Sequence, residues 1–139
     1  AGTVQVDPYR AIERYSHVMH IVSGVKGELA KGCDQFDLFA ASFPAGTLVG
    51  APKVRAMAII EEMENVSRGL YGGTAGSFGL SGDMDQAITI RTLVFSGDEY
   101  SFQAGAGIVA DSVPANEYRE VLAKSAILRR ALEIAGEGL

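Results

Sequence analysis

Glu117 and Glu120 stand three residues apart, and Lys124 follows four beyond the second, in a stretch whose pattern is helical. At that spacing all three side chains project from one helix face. Paired carboxylates suit Mg²⁺, a hard ion that takes oxygen ligands, and a lysine beside them suits an anion. Just upstream runs Gln103-Ala104-Gly105-Ala106-Gly107, which reads as part of a strand from Tyr100 to Val109. Tyr100, Phe102 and Ala104 share one face of that strand; Ser101, Gln103, Gly105 and Gly107 share the other. The second face ends in two positions with no side chain, where a ligand can approach the backbone and use its N–H groups. Taken alone, these residues also fit a plainer account, a solvated helix face with an ion pair beside a tightly packed glycine segment. The sharper account is a metal-assisted site for a small carboxylate substrate.

Further candidates carry charge or hydrogen-bonding groups in apolar or glycine-rich settings. Arg91 lies among Ala87, Ile88, Ile90, Leu93 and Val94, where the pattern predicts a strand. A guanidinium there needs a partner, either an internal acid or a substrate carboxylate that its fork matches bidentately. Tyr71 precedes Gly72-Gly73, and its hydroxyl could join Arg91 on the same carboxylate, although a tyrosine capping a core edge is the commoner arrangement. His20 falls on the apolar face Ser16, Val18, His20, Val22, as a core histidine or a general acid–base group, and His17 on the opposite face has a weaker claim. Thr47 sits in a glycine-flanked loop ahead of a helix, where hydroxyl and backbone N–H groups could meet an anion. Lys53 and Arg55, at that helix start, oppose its dipole and call for acidic neighbours.

The elements that must position these groups follow from periodicity and punctuation. Asp7-Pro8 predicts a short helical turn or a bend. Residues 15–26 are β-rich, and Asp34 caps a helix running to about Phe43, stopped by Pro44. Residues 46–51 read as a loop. Pro52 then opens an amphipathic helix to about Val66, with Met57, Ile60 and Met63 inward and Arg68-Gly69 as its end. Three antiparallel strands are expected over 70–80, 86–95 and 100–109, joined by Ser81-Gly82-Asp83 and Ser96-Gly97-Asp98 turns. A last helix spans about Pro114 to Ala135, with Gly136 as its stop and Val121, Ser125, Leu128 and Leu132 inward. Helices and hairpin strands in this order predict an α+β fold, an antiparallel sheet with packed helices.

Bulk properties narrow the function classes. The chain has 139 residues, enough for one domain with a moderate core, and 47% hydrophobic content is ordinary for a globular protein. A net charge of −5 with no Lys/Arg cluster argues against general nucleic-acid binding. The single cysteine, Cys33, forms no internal disulfide and no multi-cysteine metal site, which suits a reducing cytoplasm. No apolar run approaches a membrane span and no signal peptide is visible. The glycines, 17 in all, cluster at 69–82 and 105–107, inside segments that otherwise alternate like strands. The start at Ala1, with Ala-Gly-Thr-Val, suits a processed chain or a piece of something longer.

Several long runs, in order across essentially the whole chain, resemble the chorismate-utilising enzymes, most closely their anthranilate synthase branch. They are Tyr15-Ser16-His17-Val18-Met19-His20, the stretch from Pro44 through Gly46-Thr47 and Pro52-Lys53 to Met57, Arg68-Gly69-Leu70-Tyr71-Gly72-Gly73, Ile90-Arg91, and Gln103 through Ser112, with Glu117, Glu120 and Lys124. The resemblance implies that Glu120 is a direct Mg²⁺ ligand and Glu117 a second carboxylate acting on the ion directly or through water. The ion would hold the ring carboxylate of chorismate with help from Gly105, Ala106, Gly107 and Lys124. Tyr71 and Arg91 would grip the enolpyruvyl carboxylate, and His20 and Thr47 would stand beside the reacting ring and its leaving group. It further implies a role in tryptophan biosynthesis, a glutamine amidotransferase partner that supplies ammonia, and a larger α/β sandwich of which residues 1–139 form a carboxy-terminal portion. A further metal carboxylate, the groups for the leaving hydroxyl and incoming nucleophile, and the feedback domain would lie in the missing amino-terminal part. Ala45 stands where lysine-dependent aminodeoxychorismate synthases carry their nucleophile, so that chemistry is disfavoured. Isochorismate, salicylate and aminodeoxyisochorismate synthases, and a fragment that only binds or assembles, are the other readings. Self-association is left open.

Overall fold

A computed structural model describes residues 2–14 and 19–137. The readings made for Tyr15, Ser16, His17 and Val18 lie outside the described residues. The chain divides into two compact units, Ala1–Phe39 and Ala40–Leu139.

The first unit is built from two short antiparallel ribbons. β1 (Gln5–Val6) pairs with β4 (Val25–Lys26), and β2 (Ala11–Arg14) pairs with β3 (Met19–Val22), with Glu13 opposite His20. Between the ribbons, Asp7 N–H donates to the Gly24 carbonyl at 2.8 Å and Gly24 N–H to the Pro8 carbonyl at 2.9 Å. Asp7-Pro8 is therefore a bend within a strand connection, and no helix opens there. Gly24 is required at this crossing, because a Cβ would sit 2.4 Å from the Asp7 carbonyl oxygen. His20 is exposed on β3, so its expected place in an apolar core is corrected. α1 (Gln35–Ser42) starts as the sequence predicts. The Asp34 carboxylate accepts from Phe36 N–H at 2.8 Å and Asp37 N–H at 3.1 Å, and the Asp37 carboxylate accepts from Asp34 N–H at 2.9 Å. This reciprocal pair satisfies donors that the first helical turn leaves open.

In the second unit, Gly46–Val49 forms one helical turn, α2, rather than a loop. The Ala45 carbonyl accepts from both Leu48 and Val49 N–H groups, and Gly50 at φ 89° ends the turn. α3 covers Lys53–Met63, shorter than expected. Ile60 is half-buried, whereas Met57 and Met63 face outward, which corrects the predicted apolar stripe. Lys53 donates to the Ser42 carbonyl at 2.9 Å, and Arg55 lies 3.4 Å from Glu62.

The expected three-stranded meander is instead two separate hairpins. β5 (Thr74–Phe78) pairs with β6 (Met84–Ile88), and β7 (Val94–Ser96) pairs with β8 (Glu99–Ser101). The break falls at residues 89–93. There Arg91 has φ 51°, Ile90 N–H turns back to the Ile88 carbonyl, and the Thr92 hydroxyl donates to the Ile90 carbonyl at 2.9 Å. Such local bonds compete with the ladder and stop it. Arg91 thus belongs to a kink and is exposed, not centred on an apolar strand.

α4 runs from Pro114 to Glu137, through Gly136 instead of stopping at it. Ser125 and Leu128 are its buried residues, flanked by half-buried Val121 and Leu132, which is the predicted stripe. The Ser125 hydroxyl bonds back to the Val121 carbonyl at 2.8 Å, so its burial leaves no orphan donor. The architecture is mixed α+β, with short antiparallel sheets and helices. Among the described residues no helix is long and apolar enough to cross a membrane.

Candidate functional site

Tyr71 is held by its own turn. Its N–H donates to the Arg68 carbonyl at 2.9 Å and Gly73 N–H donates to that of Leu70 at 3.1 Å, while Gly72 takes φ 78°. The two glycines are then bonded to the end of β6: Gly72 N–H donates to the Thr89 carbonyl and Thr89 N–H to that of Gly73, and the Thr89 hydroxyl donates to the Leu70 carbonyl. The Tyr71 turn and the Arg91 kink, two residues past Thr89, are in this way fixed to each other through backbone. A carboxylate-binding pair needs such a fixed separation.

The phenol of Tyr71 lies against Gly105. A Cβ at Gly105 would stand 2.9 Å from the Tyr71 hydroxyl oxygen, so only glycine leaves that hydroxyl its place. Gly107 faces open space. The segment 102–108 is irregular rather than a strand, and Phe102 through Ala106 are consecutively half-buried, so the expected alternation of faces does not hold. Gln103 anchors this segment by donating to the Ser67 carbonyl at 2.9 Å.

On the far side of Gly105, its carbonyl accepts from Lys124 Nζ at 3.1 Å, and the same ammonium lies 2.6 Å from Glu120 Oε1. An ammonium has three N–H donors, so one remains for an anion. Glu117, a turn earlier on α4, is half-buried. The structure therefore gathers Tyr71, Gly105, Lys124 and Glu120 in one linked set. A cavity of about 550 Å³ beside it is lined by Arg68, Tyr71, Gln103, Ala104, Gly105 and Ser125, among others. Thr47 is exposed on α2, and its neighbour Leu48 touches the Tyr71 turn, since a Cβ at Gly72 would meet Leu48 at 3.5 Å. His20 belongs to the first unit.

As to Mg²⁺, Glu117 and Glu120 are oxygen donors of the right hardness, and both belong to one helix. Among the described residues no group of three or more His, Cys, Asp or Glu side chains could hold a metal ion. The residues present fit one side of such a site.

The sequence marks Arg68 as a helix end and the first residue of the Arg68–Gly73 run, yet its side chain is heavily bonded beside the cavity. It donates to Glu64 through Nε at 2.8 Å and Nη2 at 2.5 Å, and to the Leu48 carbonyl through Nη1 at 3.0 Å. Its guanidinium carbon stands 5.6 Å from the Tyr71 ring centroid. The signal available was Glu64-x-x-x-Arg68, a spacing at which opposite charges meet. The Arg68 hydrogen bonds hold the Glu64 carboxyl below its ordinary value of 4.5, against a smaller opposing effect of burial. Because the folded pKa is depressed, the stabilisation is fully present above the unfolded value and is lost as pH falls through the folded one. Glu64 is 41% exposed, so screening keeps the contribution under about 1 kcal/mol. Glu64→Gln is expected to flatten part of the acid limb of a plot of melting temperature against pH below 4.5. An acid limb identical to the parent's would show that the pair contributes nothing there.

The sequence pattern of a family described as "chorismate binding enzyme" matches residues 1–130. The chain is 57% identical over 136 residues to anthranilate synthase component 1 of Aquifex aeolicus, covering 98% of this chain and 28% of that protein. It is 52% identical over 136 residues to aminodeoxychorismate synthase component 1 of Bacillus subtilis, covering 98% of this chain and 29% of that protein. The crystal structure of anthranilate synthase component I from Streptococcus pneumoniae matches with a TM-score of 0.83 and 47% identity, over 88% of this chain and 28% of its own. The chain thus spans less than a third of the length of these relatives. With a family pattern that covers residues 1–130 and runs through every element of the site, the chain belongs to the chorismate-binding enzymes.

Proposed function

We propose that this chain is the chorismate-binding, carboxy-terminal portion of an anthranilate synthase component, acting in tryptophan biosynthesis in the cytoplasm. The chain of contacts from Tyr71 to Gly105 and from Gly105 to Lys124 and Glu120 supports the reading, because it would tie the two carboxylate grips that a dianion needs to one another. Tyr71 and Arg91 take the enolpyruvyl carboxylate, and Lys124 with the backbone around Gly105, Ala106 and Gly107 takes the ring carboxylate. Glu117 and Glu120 would hold Mg²⁺, which when bound would supply positive charge for the ring carboxylate. His20 and Thr47 serve the reacting ring and its leaving group. Nitrogen enters at C2 as the C4 hydroxyl leaves, and elimination of pyruvate then gives the aromatic amine. Ammonia comes from a glutamine amidotransferase partner.

The likeness to an aminodeoxychorismate synthase favours a second reading, amination at C4 without pyruvate loss. Ala45 offers no amine for a lysine-dependent route, which supports the first. The test supplies the full-length protein with chorismate, Mg²⁺ and ammonia and identifies the product by chromatography and mass. Anthranilate with equimolar pyruvate supports the proposal; an aminated product that retains its enolpyruvyl group overturns it.

Glu120→Gln is expected to raise the Mg²⁺ concentration for half-maximal activity at least tenfold, while Glu133→Gln on the same helix leaves it within twofold. Glutamine keeps the shape and removes the charge a hard cation requires. Glu133 lies more than three turns further along the helix, beside Arg130 at 3.1 Å, and so away from Lys124 and Gly105. Superimposable metal titrations for the two variants would eliminate Glu120 as a ligand.

A further inference from the structure

We propose that Arg68 is a positioning residue for substrate, orienting the Tyr71 hydroxyl and tying the Thr47 turn to it; the proposal rests on the reading of Tyr71 as a carboxylate grip. Three segments meet at this one guanidinium. The first is Glu64, the residue that ends α3, whose two oxygens receive a forked pair of donors at 2.8 and 2.5 Å. The second is the carbonyl of Leu48, next to Thr47 on α2, at 3.0 Å. The third is the ring of Tyr71, with the cation 5.6 Å from its centroid, within the reach of about 6 Å at which a cation is attracted to a ring face.

The chemistry of the group matters as much as its contacts. A guanidinium is planar and delocalised, so its edge donates in fixed directions while its face rests on an aromatic ring. Arg68 uses Nε, Nη1 and Nη2 as donors and offers the ring the remaining surface. Lysine carries the charge but has neither the fork nor the flat face. Tyr71 thus has the Arg68 cation over its ring and Gly105 beside its hydroxyl, where no Cβ fits. The cation favours ring orientations that keep the face of Tyr71 toward it. A hydroxyl aimed at a substrate carboxylate needs that restriction, since about 1 Å of misplacement can cost about a hundredfold in rate. Arg68 itself is bonded to Glu64 and to the Leu48 carbonyl. Its expected effect therefore passes through Tyr71.

The experiment is a double-mutant cycle in the full-length protein, with chorismate consumption as the readout. Arg68→Ala is expected to lower kcat/KM for chorismate about tenfold to a hundredfold, chiefly through KM. Arg68→Lys is expected to restore less than a third of the lost activity. In a Tyr71→Phe background, where no hydroxyl remains to be aimed, Arg68→Ala is expected to cost less than threefold further. A merely structural arginine gives a different pattern, with equal cost in both backgrounds, and that additivity overturns the proposal even where melting temperatures fall. Full rescue by Arg68→Lys also overturns it, because charge alone would then suffice. If Tyr71→Phe leaves KM for chorismate unchanged while Arg68→Ala still impairs it, the carboxylate-grip reading of Tyr71 fails and the positioning role falls with it. A damaging Tyr71→Phe with additive Arg68→Ala removes only the Arg68 proposal.

Discussion

Arg91→Ala in the full-length protein is expected to lower kcat/KM for chorismate by about a hundredfold to a thousandfold while the fold survives. A bidentate, charge-assisted contact to a carboxylate contributes several kcal/mol, and alanine replaces it with no other donor. The position makes the test clean. Arg91 is exposed, so its removal opens no cavity, and it holds φ 51° in the kink after β6. Alanine meets the same left-handed backbone cost as arginine, so the backbone of the kink is not what the substitution changes. A non-glycine residue kept in that conformation is itself a pointer to function, because such strain persists where the surroundings impose it. The loss should appear in steady-state kinetics of a variant that still unfolds cooperatively. Near-normal kcat/KM would make Arg91 structural and misplace the side-chain carboxylate.

What the sequence made legible was whatever rests on local bonding. The Asp34 cap and the start of α4 at Pro114 depend on residues within a turn of each other, and the Val121-Ser125-Leu128-Leu132 stripe on spacing along a single helix. The Lys124–Glu120 pair followed from i, i+4 spacing alone. Less legible was anything set by contacts distant in sequence. The predicted strand over 86–95 breaks because the Gly72-Gly73 turn captures Thr89 and the chain then kinks at Arg91, and neither event leaves a mark in local periodicity. The Met57 and Met63 stripe failed for a related reason: amphipathic spacing says which side chains are apolar, not whether this chain supplies a surface to cover them. Arg68 is a mixed case: Glu64 and Tyr71 are its neighbours along the chain, but the Leu48 carbonyl, 20 residues away, reaches it only in the fold.

The 139-residue chain by itself is expected to make no anthranilate at a useful rate, even with chorismate, Mg²⁺ and ammonia supplied. The donor set is the first reason. Mg²⁺ demands near-octahedral oxygen coordination, and Glu117 and Glu120 approach from a single helix, with no third acidic, His or Cys side chain joining them among the described residues. The second reason is support. Val54 is 85% exposed, Ile108 73% and Val109 69%, so apolar side chains next to the site segments lack neighbours that would hold them. Both hairpins in this unit are two-stranded, with unpaired backbone edges that invite self-association, and a two-stranded ribbon is marginally stable on its own. Catalysis that relies on orientation fails when the orienting groups are loosely held. The relatives, of which the chain spans 28%, carry the remaining length in the same polypeptide. Anthranilate fluorescence from the purified chain, run beside the same chain mixed with the rest of the longer polypeptide, decides the matter. Signal is expected only in the mixture, and robust Mg²⁺-dependent anthranilate from the chain alone would show that both carboxylate grips and a working metal site are complete within these residues.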